Sequence, residues 1–220
     1  MKVLITGSSG FIGYHLSKSL LLDGYEIYGL DNLNNYYDVN LKKLRLNNLK
    51  SHENFKFKKL DLINYNDLEH VFKSFNPQKV INLAAQAGVR YGIKNPQAYI
   101  DSNLIGFYNI LELSKHYETE GLIYASSSSV YGANNQIPFS TEHKTEKPMS
   151  LYAATKKSNE LIAHSYFNIY GFKSIALRFF TVYGPYGRPD MALYDFTNNI
   201  VAGNEIELFN YGNMIRDWTY

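Results

Sequence analysis

Short apolar segments alternate with longer amphipathic ones along most of this chain. The short segments predict six β-strands, at residues 2–6, 26–31, 55–60, 79–84, 122–126 and 174–180. The longer segments predict helices at residues 11–22, 41–49, 67–75, 96–117 and 151–170. Strands that alternate with helices form right-handed crossovers and a parallel sheet covered on both faces. We therefore predict an α/β fold built on a doubly wound parallel sheet.

The composition excludes several classes of protein. The chain has no cysteine, which rules out disulfides, thiolate metal sites and a thiol nucleophile, and its six histidines lack ligand spacing, so we expect no metal. A net charge of +2 offers no electrostatic footprint for nucleic acid or a membrane surface. The apolar runs are shorter than the ~18–20 residues of a membrane span, and the start of the chain does not resemble a secretory signal. We expect a cytoplasmic protein with neither partner.

A glycine-rich segment, GSSGFIG, lies between the first predicted strand and the first predicted helix. Gly7 permits a tight turn, Gly10 lets the backbone approach a pyrophosphate, and Gly13 lets the helix pack closely on the strand. The helix that follows offers unpaired N–H groups to phosphate oxygens. The segment therefore predicts a dinucleotide site, to which Phe11 and Ile12 are assigned as neighbours.

An acidic residue stands where such a site needs one. Asp31 ends the second predicted strand, 18 positions after Gly13, where a carboxylate binds the adenosine ribose hydroxyls and repels a 2′-phosphate. This favours NAD over NADP, with Asn32 beside it. Asp61 ends the third strand, and with Leu62 it is assigned to the adenine side, although Asp61 could equally be a turn residue at a strand end.

Tyr152 and Lys156 lie four positions apart on a predicted helix, so they share one face of it. A phenol is a poor base at neutral pH, and a nearby ammonium lowers its pKa. The serine run 126–129 ends the fifth predicted strand, at the edge where open α/β sheets bind ligands. These residues beside NAD imply hydride transfer with acid–base help at an alcohol carbon.

With these motifs the chain resembles the extended short-chain dehydrogenase/reductase family, specifically its NAD-dependent nucleotide-sugar epimerases with a Rossmann sheet. The segments that carry the resemblance run in family order: GSSGFIG (7–13), LAAQAGVRYGI (83–93), YASSSSVYG (124–132), SLYAATKKSNE (150–160), LRFFTVYGPYGRPDMAL (177–193) and YGNMIRDWTY (211–220). The runs DNLNNYYD and GPYGRPDMAL most resemble UDP-glucuronate 4-epimerases. A UDP-sugar is the implied substrate.

The resemblance implies a role for individual residues. Tyr152 would be the catalytic base, Lys156 its partner and Ser127 the catalytic hydroxyl. On the cofactor side it adds four positions: Ala84, Ala85, Gln86 and Asn103. On the substrate side it implies Ser127, Ser128, Thr181, Arg188 and Arg216, the last as a contact of the substrate diphosphate.

Other readings remain open at this stage. Related 4,6-dehydratases and UDP-glucuronate decarboxylases carry acidic residues where this chain has Ser128 and Ser129, which disfavours both activities. A 4-epimerase of neutral UDP-hexoses, such as UDP-glucose or UDP-N-acetylglucosamine, fits the first half of the chain equally well. A non-catalytic NAD-binding protein is the alternative from another functional class.

We expect two regions in the 220 residues. Residues 1–180 would form the NAD-binding unit with its catalytic set, and residues 181–220 the beginning of a smaller substrate-binding region that is truncated relative to similar enzymes. The resemblance also implies a possible homodimer through the helices predicted at 96–117 and 151–170. A basic cluster, Lys42, Lys43, Arg45 and Lys50, is predicted to be a solvated helix face.

Overall fold

The computed structural model describes residues 1–213 and 215–220. Its main sheet has six parallel strands in the order β3-β2-β1-β4-β5-β6. Their bounds are β1 (Lys2–Thr6), β2 (Glu26–Asp31), β3 (Phe55–Lys59), β4 (Lys79–Asn82), β5 (Leu122–Ala125) and β6 (Ser174–Leu177). The helices between them are α1 (Phe11–Leu22), α2 (Val39–Lys50), α3 (Tyr65–Phe75), α4 (Tyr91–Lys94), α5 (Gln97–Tyr99), α6 (Gly106–His116) and α7 (Leu151–Tyr170). The predicted doubly wound α/β fold is confirmed.

Each face of the sheet is covered by its own apolar core. On one face, α1 and α2 contribute buried side chains such as Tyr14 and Leu49, which pack on Ile5 and Ile27. On the other face, α3, α6 and α7 pack on the sheet through side chains that include Phe72, Phe107 and Ala163. Burial on both faces explains why the central strand β1 reads as a nearly continuous apolar run.

The strand order reverses between β1 and β4, which are adjacent in the sheet. From β1 the chain continues through α1 to β2 in one half of the sheet, whereas from β4 it continues to β5 in the other half. The connections after these two strands therefore diverge and leave a crevice at the carboxyl ends, the place where open α/β sheets bind ligands.

The helix predicted over 96–117 is interrupted. The chain forms α4 and α5, then a π-helical segment at Ile100–Ile105, and only then the regular helix α6. A wider turn of this kind changes the direction of side chains, and it turns Asn103 fully inward. Strands β4 and β6 also end two or three residues earlier than predicted, because residues 83–84 and 178–180 leave the sheet at the crevice.

After residue 180 the chain forms a two-stranded parallel ladder and one more helix. The ladder pairs β7 (Thr181–Val182) with β8 (Trp218–Thr219), and α8 (Ala192–Val201) lies between them in sequence. No side chain of α8 is buried. The division into two regions at residue 180 stays a prediction. Within the described residues, no helix is long and apolar enough to cross a lipid bilayer.

Candidate active site

A cleft opens at the carboxyl ends of the strands, where the order reverses. Residues from the glycine-rich turn, the loop after β2, the ends of β4 and β5, helix α7 and the segment after β6 all line it. The predicted site residues that line it are Gly7, Gly10, Phe11, Ile12, Gly13, Asp31, Asn32, Asp61, Leu62, Ala84, Ala85, Gln86, Ser127, Tyr152, Lys156 and Arg188. Most of the predicted site is therefore brought together.

The glycine-rich turn is built as the spacing predicts. Gly7 has a φ of +69°, and a Cβ at Gly13 would lie 2.1 Å from the Gly7 carbonyl oxygen, so neither position tolerates a side chain without a shift. Helix α1 begins at Phe11 with no side-chain cap. Its first N–H groups have no partner within the helix and lie beside the cleft, which makes this end of α1 an anion-binding position.

Asp31 lines the cleft beside the glycine-rich turn. Its carboxylate accepts hydrogen bonds from the backbone N–H groups of Leu33 at 2.8 Å and Ser9 at 3.2 Å. Burial raises the pKa of Asp31, and the Leu33 N–H, the Lys42 ammonium and the Ser9 N–H oppose that rise. The carboxylate is thus fixed in direction beside the turn, where it can bind ribose hydroxyls.

Asn32 and Asp61 form one polar pair in the cleft wall. The Asn32 amide donates a hydrogen bond to the Asp61 carboxylate at 2.9 Å, and the Ile63 N–H donates to the other oxygen of Asp61 at 3.3 Å. Leu62 lies beside them and lines the same wall. These contacts hold an acceptor and an apolar surface in the cleft wall, and their assignment to the adenine side stays a prediction.

Tyr152 lies at the other half of the cleft, close to Ser127 and Arg188. Burial raises the pKa of the Tyr152 phenol, while a hydrogen bond with the Ser127 hydroxyl and the charge of Arg188 lower it. Ser127 itself is held by the Ser129 N–H, which donates to its Oγ at 3.1 Å. A hydroxyl and a cation therefore favour the ionised phenol, but burial outweighs both and keeps the pKa of Tyr152 above its ordinary value.

Lys156 contacts the end of strand β5. Its side chain is buried, and its ammonium donates a hydrogen bond to the Ala125 carbonyl at 2.7 Å. Burial lowers the pKa of Lys156 to about 8. The charge that acts on the Tyr152 phenol in this arrangement is that of Arg188, so the role of Lys156 toward Tyr152 stays a prediction.

A partly buried ion pair lies beneath the serine run that lines the cleft. Arg178 donates from Nε and Nη2 to the two carboxylate oxygens of Glu160, each at 2.9 Å, and the Ser126 hydroxyl donates to the same carboxylate at 2.6 Å. Burial raises the pKa of Glu160, but the hydrogen bonds from Arg178 and Ser126 outweigh it and hold the pKa below its ordinary value. This network fixes the serine run and was not predicted from the sequence.

Asn103 lies behind the cleft wall rather than on it. Its carbonyl accepts a hydrogen bond from the Gln86 N–H at 2.8 Å, and its amide donates to the Gln86 carbonyl and to the Thr155 hydroxyl, both at 3.0 Å. Asn103 therefore ties the lining residue Gln86 to helix α7. It therefore adjoins the predicted cofactor site only through Gln86 and does not line the cleft itself.

Three residues of the predicted substrate set lie outside the cleft lining: Ser128, Thr181 and Arg216. Thr181 belongs to β7, next to the lining residues Phe180 and Val182. Arg216 is exposed, and its guanidinium donates only to the carbonyl of its own neighbour Ile215 among the hydrogen bonds of the described residues. The substrate contacts expected of these residues stay predictions.

The segment carrying Arg188 is fastened to the loop after β2. Arg188 pairs with the Asp190 carboxylate, which also accepts a hydrogen bond from the Tyr36 hydroxyl at 3.0 Å. The Tyr36 ring lies 4.9 Å from that of Tyr91. The sequence motif marked Arg188, but nothing in it indicated that Tyr36 and Asp190 hold this arginine.

The basic cluster on α2 is not the solvated face that the sequence predicted. Lys42 and Arg45 are only 5% and 0% exposed, whereas Lys43 and Lys50 face solvent as expected. Lys42 lines the cleft and donates to the carbonyl and side chain of Asn34, both at 2.7 Å. Two of the four cations are therefore buried, and Lys42 lines the cleft. Their spacing of three positions on one helix face was the available signal.

Three features together define a dinucleotide-binding α/β protein: a parallel sheet whose strand order reverses, an uncapped helix after a glycine-rich turn, and an aspartate at a strand end. Comparison with known proteins names the family. The chain matches the NAD dependent epimerase/dehydratase family over residues 3–220, and it belongs to that family. This confirms the resemblance drawn from the motifs.

Three similar proteins illustrate the relationship. Protein CapI of Staphylococcus aureus is 58% identical over 220 residues, which cover 100% of this chain and 66% of that protein. A UDP-glucuronate 4-epimerase of Thermodesulfobacterium geofontis is 46% identical, over 99% of this chain and 67% of its own length. The structure of UDP-glucuronic acid 4-epimerase from Bacillus cereus in complex with UDP-glucuronic acid and NAD gives a TM-score of 0.94 at 34% identity, covering 100% of this chain and 69% of that one. The chain thus spans about two thirds of the length of these relatives.

Proposed function

We propose that this chain binds NAD and catalyses the 4-epimerisation of a UDP-sugar, UDP-glucuronate to UDP-galacturonate. One observation carries the proposal: Tyr152, with Ser127 and Arg188 acting on its phenol, shares a cleft with Asp31 and the open end of α1. Support comes from relatives named UDP-glucuronate 4-epimerase and from a solved structure that holds NAD and UDP-glucuronic acid.

The residues of the cleft fit a dinucleotide. The pyrophosphate would lie at the uncapped N-terminus of α1, beside Gly10, where no side chain blocks the approach. Asp31 would bind the ribose hydroxyls and repel a 2′-phosphate, which favours NAD over NADP. Ala84, Ala85 and Gln86 would line the nicotinamide side.

The chain's own residues supply the acid–base chemistry. Tyr152 as phenolate removes the proton of the sugar's 4-hydroxyl, and Ser127 donates a hydrogen bond to the reacting oxygen. NAD, when bound, would supply the acceptor for the C4 hydride and the donor for its return to the opposite face of the sugar. Tyr152 then gives its proton back to the C4 oxygen of the turned sugar, so proton and hydride are both restored within one cycle.

The uronate carboxylate imposes a further requirement on the site. A ketone at C4 is β to the carboxylate, so the intermediate loses carbon dioxide if the breaking bond overlaps the carbonyl π system. Neutral hydroxyls can hold the carboxylate in the carbonyl plane, and we assign this role to Ser127, Ser128 and Thr181. Arg188 would bind the sugar end and Arg216 the diphosphate.

A homodimer through α6 and α7 is also proposed. Both helices carry apolar side chains that are exposed in the single chain, including Tyr108 at 46% and Leu161 at 58%. Helices with such faces commonly pair to bury them. A cytoplasmic location likewise stays a prediction.

A substrate panel tests the proposal. The chain is incubated with NAD or NADP and with UDP-glucuronate, UDP-glucose or UDP-N-acetylglucosamine, and the products are resolved by NMR. We expect UDP-galacturonate from UDP-glucuronate, with NAD supporting conversion and NADP failing to do so. Conversion of the neutral sugars alone would contradict the uronate assignment. Binding of NAD without any conversion would contradict catalysis and favour a non-catalytic NAD-binding protein.

A further inference from the structure

Arg45 of α2 bonds to three separate parts of the chain. Its Nη1 donates to the Ser9 carbonyl at 3.1 Å and to the Tyr37 hydroxyl at 2.7 Å. Its Nε and Nη2 donate to the Tyr186 carbonyl at 3.2 and 2.6 Å, and Nη2 also donates to the Gly187 carbonyl at 3.1 Å. One guanidinium thus holds the glycine-rich turn, the loop after β2 and the segment 184–190.

The guanidinium is fully buried, and its partners are all neutral. Arg45 is 0% exposed, and none of the ion pairs found among residues 1–213 and 215–220 includes it. Burying a cation is costly unless its donors are satisfied, and the planar fork of arginine is the side chain that can satisfy several fixed acceptors at once. The geometry therefore depends on the fork as well as on the charge.

The three joined parts are the ones that shape the cleft. The glycine-rich turn lies at the proposed pyrophosphate position, the loop after β2 carries the lining residues Tyr36 and Tyr37, and segment 184–190 carries Arg188. Arg45 itself does not line the cleft. It bonds to all three parts from outside the cleft lining.

The segment itself needs such support. Tyr186 has a φ of +57°, a left-handed conformation that a residue with a side chain adopts only at an energetic cost. This conformation allows the carbonyls of Tyr186 and Gly187 to face the same guanidinium. The Tyr186 ring also packs against Tyr14 of α1 at 5.3 Å.

We propose that Arg45 is a positioning residue that locks segment 184–190 onto the glycine-rich turn and thereby places Arg188 in the cleft. Its consequence for catalysis rests on the proposed function, whereas the locking of the segment does not. Arg45 touches neither cofactor nor substrate in this account and acts through the backbone carbonyls it holds.

Hydrogen exchange on the full chain tests the locking directly. The probes are the amides of Gly187 and Met191, which bond to the carbonyls of Gly184 and Arg188. In Arg45→Met we expect these amides to exchange at least about tenfold faster, while amides of β4 and β5 stay unchanged, because the loss is local. Lys43→Met, on the exposed face of the same helix, is the matched control and should leave both probes as they are.

Arg45→Lys separates the fork from the charge. We expect it to loosen the segment nearly as much as Arg45→Met, because a lysine cannot reach all three parts at once. Unchanged exchange of both probes in Arg45→Met would overturn the proposal, and wild-type behaviour of Arg45→Lys would overturn the role of the fork. These readouts need no activity, so they decide the matter even if the chain epimerises nothing.

If the chain is active, steady-state kinetics provide a second test of the role of Arg45. Arg45→Met is expected to raise the KM for UDP-glucuronate about tenfold or more with a smaller change in kcat, since it acts on Arg188 rather than on Tyr152. The double variant Arg45→Met/Arg188→Met should then have a KM only slightly higher than that of Arg188→Met alone. Fully additive effects would contradict action through Arg188.

Discussion

Tyr152→Phe is expected to lower kcat for epimerisation by about 10²–10⁴-fold, the usual contribution of a positioned acid–base group. The substitution removes only the hydroxyl, which is the one atom that Ser127 and Arg188 act on in the cleft. The ring and its packing remain, so the affinity for NAD should change little. The measurement is kcat with UDP-glucuronate together with the dissociation constant of NAD.

The matched control for this variant lies on the same helix. Tyr166→Phe makes the same chemical change on α7, but its hydroxyl donates to Glu112 at 2.7 Å, away from the cleft. We expect Tyr166→Phe to keep near-normal kcat. A Tyr152→Phe variant that retained more than about a tenth of the activity would contradict the assignment of Tyr152 as the acid–base group.

Lys156→Met is expected to stabilise the fold at neutral pH. The folded-state pKa of Lys156 is about 8, below the ordinary value of 10.5, because burial disfavours the charged form. The folded state therefore binds this proton less tightly than the unfolded chain. The resulting destabilisation of the folded state is complete below pH 8 and disappears as the pH rises to 10.5. We expect a gain of about 1–2 kcal/mol in unfolding free energy at pH 7, reduced by the donor that the Ala125 carbonyl loses.

Urea unfolding at pH 7 and pH 10 checks this expectation. The stability difference between Lys156→Met and the unsubstituted chain should shrink at the higher pH. Lys157→Met is the control. It removes the neighbouring lysine, whose ammonium lies 3.4 Å from the Glu160 carboxylate. We expect the unfolding free energy of this variant to depend on pH in the same way as that of the unsubstituted chain. A difference in unfolding free energy that stayed constant between the two pH values would contradict a lowered pKa of Lys156 in the folded state.

The sequence predicted the architecture well where local signals coincide with the fold. The bounds of α1 and α7 match the predicted ranges 11–22 and 151–170, because each helix ends at a clear stop. Gly24 follows the end of α1, and Gly171 takes the left-handed conformation that ends α7, with φ values of +82° and +68°. Parallel strands buried on both faces also leave an unambiguous apolar pattern.

The sequence missed features that depend on distant contacts. Arg45 and Lys42 look like surface cations on a polar helix, and only the docking of segment 184–190 and of the loop after β2 buries them. The ion pair of Glu160 with Arg178 likewise joins α7 to the end of β6. Periodicity within one helix cannot report such partners, since they come from other parts of the chain.

The candidate site was predicted better in its cofactor half than in its substrate half. The glycine-rich turn and Asp31 are local in sequence and fixed by one strand–turn–helix unit, so spacing alone places them. Thr181 and Arg216 depend on segments beyond β6, where few side chains are buried and the sheet no longer fixes direction. Motif resemblance named these residues but could not give their contacts.

The central claim is that hydride leaves C4 of the sugar and returns to the same carbon inside the cleft. Its most direct test incubates the full chain with NAD and UDP-glucuronate in deuterated water and reads the product by proton NMR. If the hydride returns in this way, the UDP-galacturonate formed retains protium at C4, because the hydride never exchanges with solvent. Deuterium at C4, or the absence of UDP-galacturonate, would contradict this transfer.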